Sequence, residues 1–320
     1  MIFKIKLYSY NSVGFLLYLM GLMHGITAEQ AIQLFCTGGP VNESLRLSSV
    51  PYISGDTFRE FSNIVLDETN SVFEPSKLKD GDILFVKADL IHDFFTKCHP
   101  AITKKYILIT HNSDCLLTIR SIEKYVLDDK LIAWFGTNTD SLAAQSPKVN
   151  CIPIGLENRH WNTSNTQILE RAQKAARECG SKDHLLYLNI TINTYPDERQ
   201  HVYNLFADKP YCYTQNTKKS YYDYLLDLGK SKFVLSPRGN GIDCLRTWEA
   251  LYMGSYPIVK SSSLDQVYAG LPVVIVQDWS EVTEEFLNQK YDEMQNKTYK
   301  LERLSIYYWF NKIMKYKARL

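Results

Sequence analysis

The chain has 320 residues, of which 45% are hydrophobic, so it is long enough to form one large or two medium domains with well-packed cores. Its 36 basic and 35 acidic residues give a formal net charge of +1. This balance argues against a nucleic-acid partner, which would require a basic patch, and favours small-molecule or glycan partners.

The N-terminus has the pattern of a targeting segment. Lys4 and Lys6 precede an apolar stretch at residues 13–23, and small residues follow up to Ala28. This pattern predicts that residues 1–28 form a signal peptide or a short signal anchor. About 11 apolar residues are few for a spanning helix, so we expect cleavage or loose membrane association, in the secretory pathway or cell envelope. The alternative is a buried N-terminal helix.

Short apolar runs alternate with helical patterns along the rest of the chain. In the first half we predict strands at residues 82–86, 106–110, 131–135 and 149–154, with a helix at 121–127. In the second half we predict strands at residues 185–190, 232–235, 256–259 and 273–276, with helices near 167–179, 198–206 and 221–228. Continuous apolar runs are typical of buried parallel strands. The fold class is therefore α/β, with two doubly wound parallel-sheet domains.

A polar segment at residues 158–166 indicates the boundary between the two domains. We place the first domain at residues 29–156 and the second at residues 157–300. Residues 301–320 form an amphipathic helix that is expected to pack back onto the first domain. In such sheets ligands bind at the carboxyl ends of the strands, so the active cleft should lie between the domains.

Residues 232–259 combine a strand, a glycine-containing loop at 238–241, an amphipathic helix and a second strand. Asp243 is a candidate N-cap or first-turn acid of that helix. A helical wheel places Asp243, Arg246 and Glu249 on one polar arc, which is predicted to face a cleft or solvent. Free N–H groups at a helix start and close backbone approach at glycines favour an anion here.

Arginine side chains suit such an anion when it is a diphosphate. We predict that Arg238 and Arg246 bind a diphosphate, and that Glu249 accepts hydrogen bonds from ribose hydroxyls. The alternative is that Arg246 and Glu249 form an ordinary surface pair at i, i+3.

The same segment resembles the donor-binding region of exostosin-type glycosyltransferases, glycosyltransferase family 47 and its relatives. That region has a (S/C)-P-(R/S)-G loop followed by R-x-x-E-A-(L/I)-x-x-G-x-x-P-(V/I). The matching residues are Ser236, Pro237, Arg238, Gly239, Arg246, Glu249, Ala250, Leu251, Gly254, Pro257 and Ile258. The resemblance implies a GT-B architecture, with the nucleotide sugar on the C-terminal domain and the acceptor on the N-terminal domain.

The resemblance also implies a function. It predicts transfer of a sugar from a nucleotide-diphosphate donor, expected to be a UDP-sugar, to a glycan or glycoconjugate acceptor, with inversion. No cofactor is expected. Nor is a metal expected, because the Asp-x-Asp pattern at residues 80–82 is interpreted as a β-turn. Two alternatives remain, namely an inactive carbohydrate-binding or assembly protein, and a fucosyltransferase that uses a guanine nucleotide.

Polar residues after two predicted strands complete the candidate site. His111 and Asp114 follow the strand at 106–110 and are candidates for the catalytic base. Asn189 and Arg199 follow the first strand of the second domain and are candidates for donor binding. Capping, turn and backbone contacts are the alternative roles for all four. The full predicted donor-binding set is Ser236, Arg238, Gly239, Asn240, Gly241, Arg246, Glu249, Asn189 and Arg199.

Overall fold

A computed structural model describes residues 46–161 and 166–318, which form two five-stranded sheets. The strands of the first sheet are β1 (Ile64–Leu66), β2 (Asp82–Lys87), β3 (Tyr106–His111), β4 (Leu131–Gly136) and β5 (Val149–Cys151). Those of the second are β6 (His184–Leu188), β7 (Cys212–Thr214), β8 (Ser231–Leu235), β9 (Tyr256–Lys260) and β10 (Val274–Val276). The helices are α1 (Gly55–Glu60), α2 (Ile91–Asp93), α3 (Ile119–Val126), α4 (Thr166–Cys179), α5 (Pro196–Phe206), α6 (Tyr221–Gly229), α7 (Leu245–Tyr252), α8 (Asp265–Tyr268), α9 (Glu284–Gln295) and α10 (Ile306–Lys317).

Both sheets are parallel throughout. The first has the order β1-β2-β3-β4-β5 and the second the order β10-β9-β8-β6-β7. The order of the second sheet reverses between β6 and β8, and a reversal of this kind opens a crevice at the carboxyl ends of the strands. The predicted α/β fold with two parallel sheets is confirmed, and it is consistent with a GT-B-like arrangement.

The central strands are buried on both faces, which explains their continuous apolar runs. In β2, Ile83 and Phe85 belong to one core cluster, whereas Leu84 and Val86 belong to another on the opposite face. Successive side chains of a strand point to opposite faces, so a strand covered on both sides must be apolar at every position.

One core is shared by the two sheets. It contains Phe135 from β4, Val234 from β8 and Trp309 from α10. Helix α10 packs against the first sheet, where the ring of Tyr316 lies 5.5 Å from that of Phe135, and against the end of α1, where the ring of Phe310 lies 4.6 Å from that of Phe61. Ser305 caps this helix, and the preceding residues Leu301–Leu304 form a 3₁₀ turn. The domain limits stay a prediction.

Two of the sequence predictions concern features outside the sheets. The predicted signal peptide or anchor at residues 1–28 lies outside the described residues. No helix within the described ranges is long and apolar enough to cross a membrane. The Asp-x-Asp segment is a turn in which Gly81 has a φ of 80°. Cysteines 98, 115, 151, 179, 212 and 244 are all free thiols.

Candidate functional site

The glycine loop connects β8 to α7 at the carboxyl edge of the second sheet. Its first residue, Ser236, is buried, and its hydroxyl lies 2.8 Å from that of Thr247 in the first turn of α7. The N–H of Ser236 donates to the carbonyl of Ile258 at 2.9 Å. Ser236 therefore ties the start of the loop to the helix and to β9.

Arg199 of α5 holds the glycine loop through hydrogen bonds to its backbone. Its guanidinium donates to the carbonyl oxygens of Arg238 at 2.7 Å, Thr191 at 2.9 Å and Pro237 at 3.4 Å. A Cβ added to Gly239 would lie 3.0 Å from the Nη2 of Arg199, so glycine permits this close packing. The predicted contact of Arg199 with a donor stays a prediction, since the structure shows it holding the loop.

The guanidinium of Arg246 lies close enough to that of Arg199 to affect its pKa. Its Nε and Nη1 atoms are buried without a hydrogen-bond partner. Burial lowers the pKa of Arg199, and the positive charge of Arg246 lowers it further. Within residues 46–161 and 166–318, neither arginine forms an ion pair with a carboxylate. The loop is thus backed by two cations that form no ion pair, and the carboxylate of Glu249 is near enough for its pKa to respond to the charge of Arg246.

Arg238 occupies a different position from Arg246. Its guanidinium lies 4.3 Å from the centre of the Tyr195 ring, and its Nη2 donates to the carbonyl of Asn240 at 3.0 Å. It lines a cavity of about 280 Å³ between the two sheets. The cavity is also lined by the cation Lys260 and by two carboxylates, Asp140 and Glu198. Its hydroxyl-bearing lining residues are Ser141, Ser236, Thr247, Ser261, Ser262, Ser263 and Tyr268. Arg246 and Glu249 are not among its lining residues.

Glu249 is buried, with 6% of its surface exposed. Its Oε2 accepts a hydrogen bond from the hydroxyl of Tyr224 at 2.8 Å. Burial raises the pKa of Glu249, while the bond from Tyr224 and the charge of Arg246 act in the opposite direction. The prediction that Glu249 faces a cleft or solvent is therefore wrong, because α6 covers this side of α7. Its role towards a ribose stays a prediction.

Asp243 is not the N-cap of α7, and that expectation is corrected. The helix begins at Leu245, and its N-cap is Cys244. The carboxylate of Asp243 is buried and accepts hydrogen bonds from the N–H of Ile154 at 2.8 Å and the hydroxyl of Tyr268 at 2.8 Å. Nε1 of Trp248 also donates to it at 2.9 Å. Its bond to Ile154 makes Asp243 a buried link to the first unit rather than a helix cap. Desolvation raises the pKa of Asp243 to about 6.

Asn138 holds the loop from the side of the first sheet. It has a φ of 50°, and its Oδ1 accepts the N–H of Asp243 at 3.0 Å. A Cβ added to Gly241 would lie 2.7 Å from the Nδ2 of Asn138. Gly241 is therefore required for close contact between the two units.

Asp114 and Asn240 meet in front of the loop. Both are exposed, and the Nδ2 of Asn240 donates to the Oδ2 of Asp114 at 3.2 Å. This contact brings a catalytic candidate that follows β3 next to a donor-binding candidate of the glycine loop.

His111 lies deeper and does not reach the cleft. It is 2% exposed, its Nδ1 accepts the N–H of Asn112 at 2.7 Å, and its Nε2 lies 3.2 Å from the carbonyl oxygen of Pro153. Burial lowers the pKa of His111 to about 4. With both ring nitrogens engaged, this geometry gives no support to His111 as a base and matches its alternative role in bonding the backbone.

Asn189 points towards the interior of the second unit. Its Nδ2 donates to the hydroxyl of Tyr187 at 3.1 Å, and that hydroxyl donates to the buried Asp227 at 3.2 Å. The structure does not bring Asn189 together with Arg238 or Arg246, and its predicted donor contact stays a prediction.

A polar cluster at the carboxyl edge of the first sheet was not predicted. The carboxylate of Asp56 accepts from Nδ2 of Asn112 at 3.0 Å and lies 3.1 Å from Nδ1 of His160. Asn158 accepts the N–H of Asp56 at 2.8 Å. Its members lie up to 104 positions apart in the chain, so no local motif could reveal it. In the part of the chain that is described, no group of three His, Cys, Asp or Glu side chains is placed to hold a metal ion.

The comparisons with known proteins bear on the second unit. The family model of the RXYLT1 C-terminal domain matches residues 194–319, which include the glycine loop, α7 and most of the second sheet. The match covers less than half of the chain. It supports the resemblance to exostosin-like glycosyltransferases, without an assignment to family 47. No curated protein matches the chain.

Proposed function

We propose that the chain is a glycosyltransferase that moves a sugar from a nucleoside-diphosphate donor to a glycan or glycoconjugate acceptor. The observation that carries this proposal is the guanidinium of Arg246 beside that of Arg199, because its Nε and Nη1 atoms are buried without a hydrogen-bond partner. Two cations in a poorly solvated place repel each other, and a bound anion offsets that repulsion. A glycine loop at the carboxyl edge of a parallel sheet is a common place for the phosphates of a nucleotide.

The proposed donor lies across the glycine loop. Arg246 contacts the diphosphate from the α7 side and Arg238 contacts it from the cavity side, while the hydroxyl groups of the cavity suit a sugar. Arg199 keeps the loop in place. Glu249 remains the candidate for the ribose, whose hydroxyls would share or replace its bond to Tyr224. No divalent metal is invoked, because the arginines offset the charge of the leaving diphosphate.

We further propose Asp114 as the base that takes the proton of the acceptor hydroxyl in an inverting transfer. It is exposed and adjoins the glycine loop through Asn240, whereas His111 is buried. Exostosin-like glycosyltransferases typically work in the secretory pathway, and we propose the same location here, with residues 1–28 as the targeting segment. UDP-xylose is the first donor to test, because the matched family is that of a xylosyltransferase-like domain.

Titration calorimetry with UDP, UDP-xylose and GDP tests the donor site. We expect one nucleotide to bind the wild type and Arg246→Ala to bind it roughly 10- to 100-fold more weakly, the range for loss of a charged hydrogen bond. Arg171→Ala is the matched control, because Arg171 is an exposed arginine of α4 that lies over the Tyr222 ring, away from the loop.

Failure of every nucleotide diphosphate to bind the wild type contradicts the proposal. A chain that binds glycans, but neither binds nor hydrolyses a nucleotide sugar, is instead an inactive carbohydrate-binding or assembly protein. Preference for GDP over UDP identifies the fucosyltransferase alternative.

A further inference from the structure

A second cavity lies at the opposite edge of the second sheet, where β6, β8 and β9 begin. Its volume is about 360 Å³, larger than that of the cavity beside the glycine loop. Arg177 from the last turn of α4, Lys182 just before β6 and Lys232 of β8 line it. Among the described residues, no Asp or Glu does so. All the charged residues that line the cavity are therefore cations.

Lys182 supplies a charge that its surroundings do not neutralise. Its Nζ is buried and donates to the carbonyl oxygens of Gly229 and Ser231 and to the hydroxyl of Ser255, each at 3.0 Å. These neutral acceptors use its three protons, and no carboxylate of the described chain lies within ion-pair distance. Desolvation without a counter-ion lowers the pKa of Lys182 to about 7. At neutral pH Lys182 is therefore only partly charged, and in its charged form it has no free donor for a ligand.

Arg177 and Lys232 have donors to offer a ligand. Within the described ranges, neither forms an ion pair, and Arg177 is exposed. The Nζ of Lys232 lies 4.3 Å from the centre of the Tyr291 ring, which keeps the amine beside an aromatic face. A Cβ added to Gly254 would meet nothing within 4 Å, so the cavity is open there. Arginine and lysine side chains are the groups that bind the acid of a charged sugar.

The helix ends around the cavity limit the charge of the ligand. Helices α4 and α6 both end at this edge, and carbonyl-rich helix C-termini disfavour negative charge. This field would disfavour a diphosphate, which carries several negative charges, more than a single carboxylate or sulfate group, which carries one. The five residues of β8 also span about 16 Å, which separates this edge from the glycine loop.

We propose that this cavity binds an acidic sugar residue of a glycan, whose carboxylate or sulfate is held by Arg177 and Lys232. The site is separate from the proposed donor site and does not depend on the activity of the chain. It gives the protein a means of holding an acidic glycan at a distance from the cleft.

Calorimetry at low ionic strength tests this site with three probes. Tetragalacturonate is the carboxylate probe, a chondroitin sulfate tetrasaccharide is the sulfate probe, and xylotetraose is the uncharged reference. We expect the wild type to bind at least one acidic probe 10-fold or more tightly than xylotetraose, and the probe that binds tighter identifies the acid. The double variant Arg177→Ala, Lys232→Ala should lose at least tenfold in that affinity.

Two controls separate this site from the cleft. Lys174→Ala removes an exposed cation one turn before Arg177, outside the cavity, and should leave the affinity unchanged. Arg246→Ala should also leave it unchanged, and the double variant should bind nucleotide as the wild type does. Equal binding of all three probes, or an acidic probe that binds the folded double variant at wild-type affinity, overturns the proposal whether or not the chain binds a nucleotide.

Discussion

Asn240 and Asp114 are joined across the boundary between the two sheets by a hydrogen bond of 3.2 Å between Nδ2 and Oδ2. One residue belongs to the glycine loop after β8, and the other follows β3. The bond therefore connects the proposed donor site to an exposed carboxylate of the other unit, and the two sides can be tested separately.

Replacement of Asp114 by Asn should lower kcat by about 100-fold or more, because general base catalysis typically contributes that much. The affinity for the donor nucleotide should stay within about twofold. Asn240→Ala is the control, since it removes the same hydrogen bond but keeps the carboxylate, and it should cost less than tenfold in kcat. Equal losses in the two variants would show that Asp114 only positions the loop.

Replacement of Glu249 by Ala should lower the free energy of unfolding by about 1 to 3 kcal/mol, because the hydroxyl of Tyr224 would remain buried without its acceptor. Glu249→Gln keeps an acceptor oxygen and should cost less. Urea denaturation measures both. In a Glu249→Ala background, a further Tyr224→Phe change should cost little, since it removes the stranded hydroxyl; a full additional loss would contradict this account.

The stability of the protein should carry a pH-dependent contribution from Asp243. Its folded pKa of about 6 lies above the ordinary value of 3.8, so the folded state binds a proton more tightly than the unfolded state does. This contribution is fully present below about pH 4 and is lost as the pH rises through about 6, with a size on the order of 3 kcal/mol. The difference in unfolding free energy between the wild type and Asp243→Asn should therefore fall over this range, and a constant difference would exclude this role.

Replacement of Gly241 by Ala should lower the unfolding free energy by about 1 to 3 kcal/mol, because the new Cβ would lie 2.7 Å from the side chain of Asn138. Nucleotide affinity should fall as well, since the loop must shift. In an Asn138→Ala background the penalty should shrink. An unchanged penalty there would mean that the close contact with Asn138 is not its cause.

The regular part of the fold could be predicted because β2, β3 and β8 are buried on both faces and are therefore apolar throughout. The edge strands β1 and β7 were missed, and each has only three residues, most of which are half-buried. Helix α1 was also missed, because its burial comes from contacts with residues far along the chain.

The position of the glycine loop could be predicted from the sequence, whereas the contacts of the side chains around it could not. Ser-Pro-Arg-Gly and the following helix indicate where a phosphate could bind. The wheel of α7 could not show that α6 covers Glu249, or that Asp243 receives the N–H of Ile154 from the other unit. Such contacts are set by the packing of the two sheets, which a single local motif does not encode.

The docking of α10 against Phe61 and Phe135 means that the last segment of the chain completes the hydrophobic interior of the first segment. Truncation before residue 306 would expose aromatic side chains of the first unit to solvent. Production of either unit alone would likewise expose an apolar surface. Recombinant work on this protein should therefore retain the C-terminal helix and place any affinity tag beyond it.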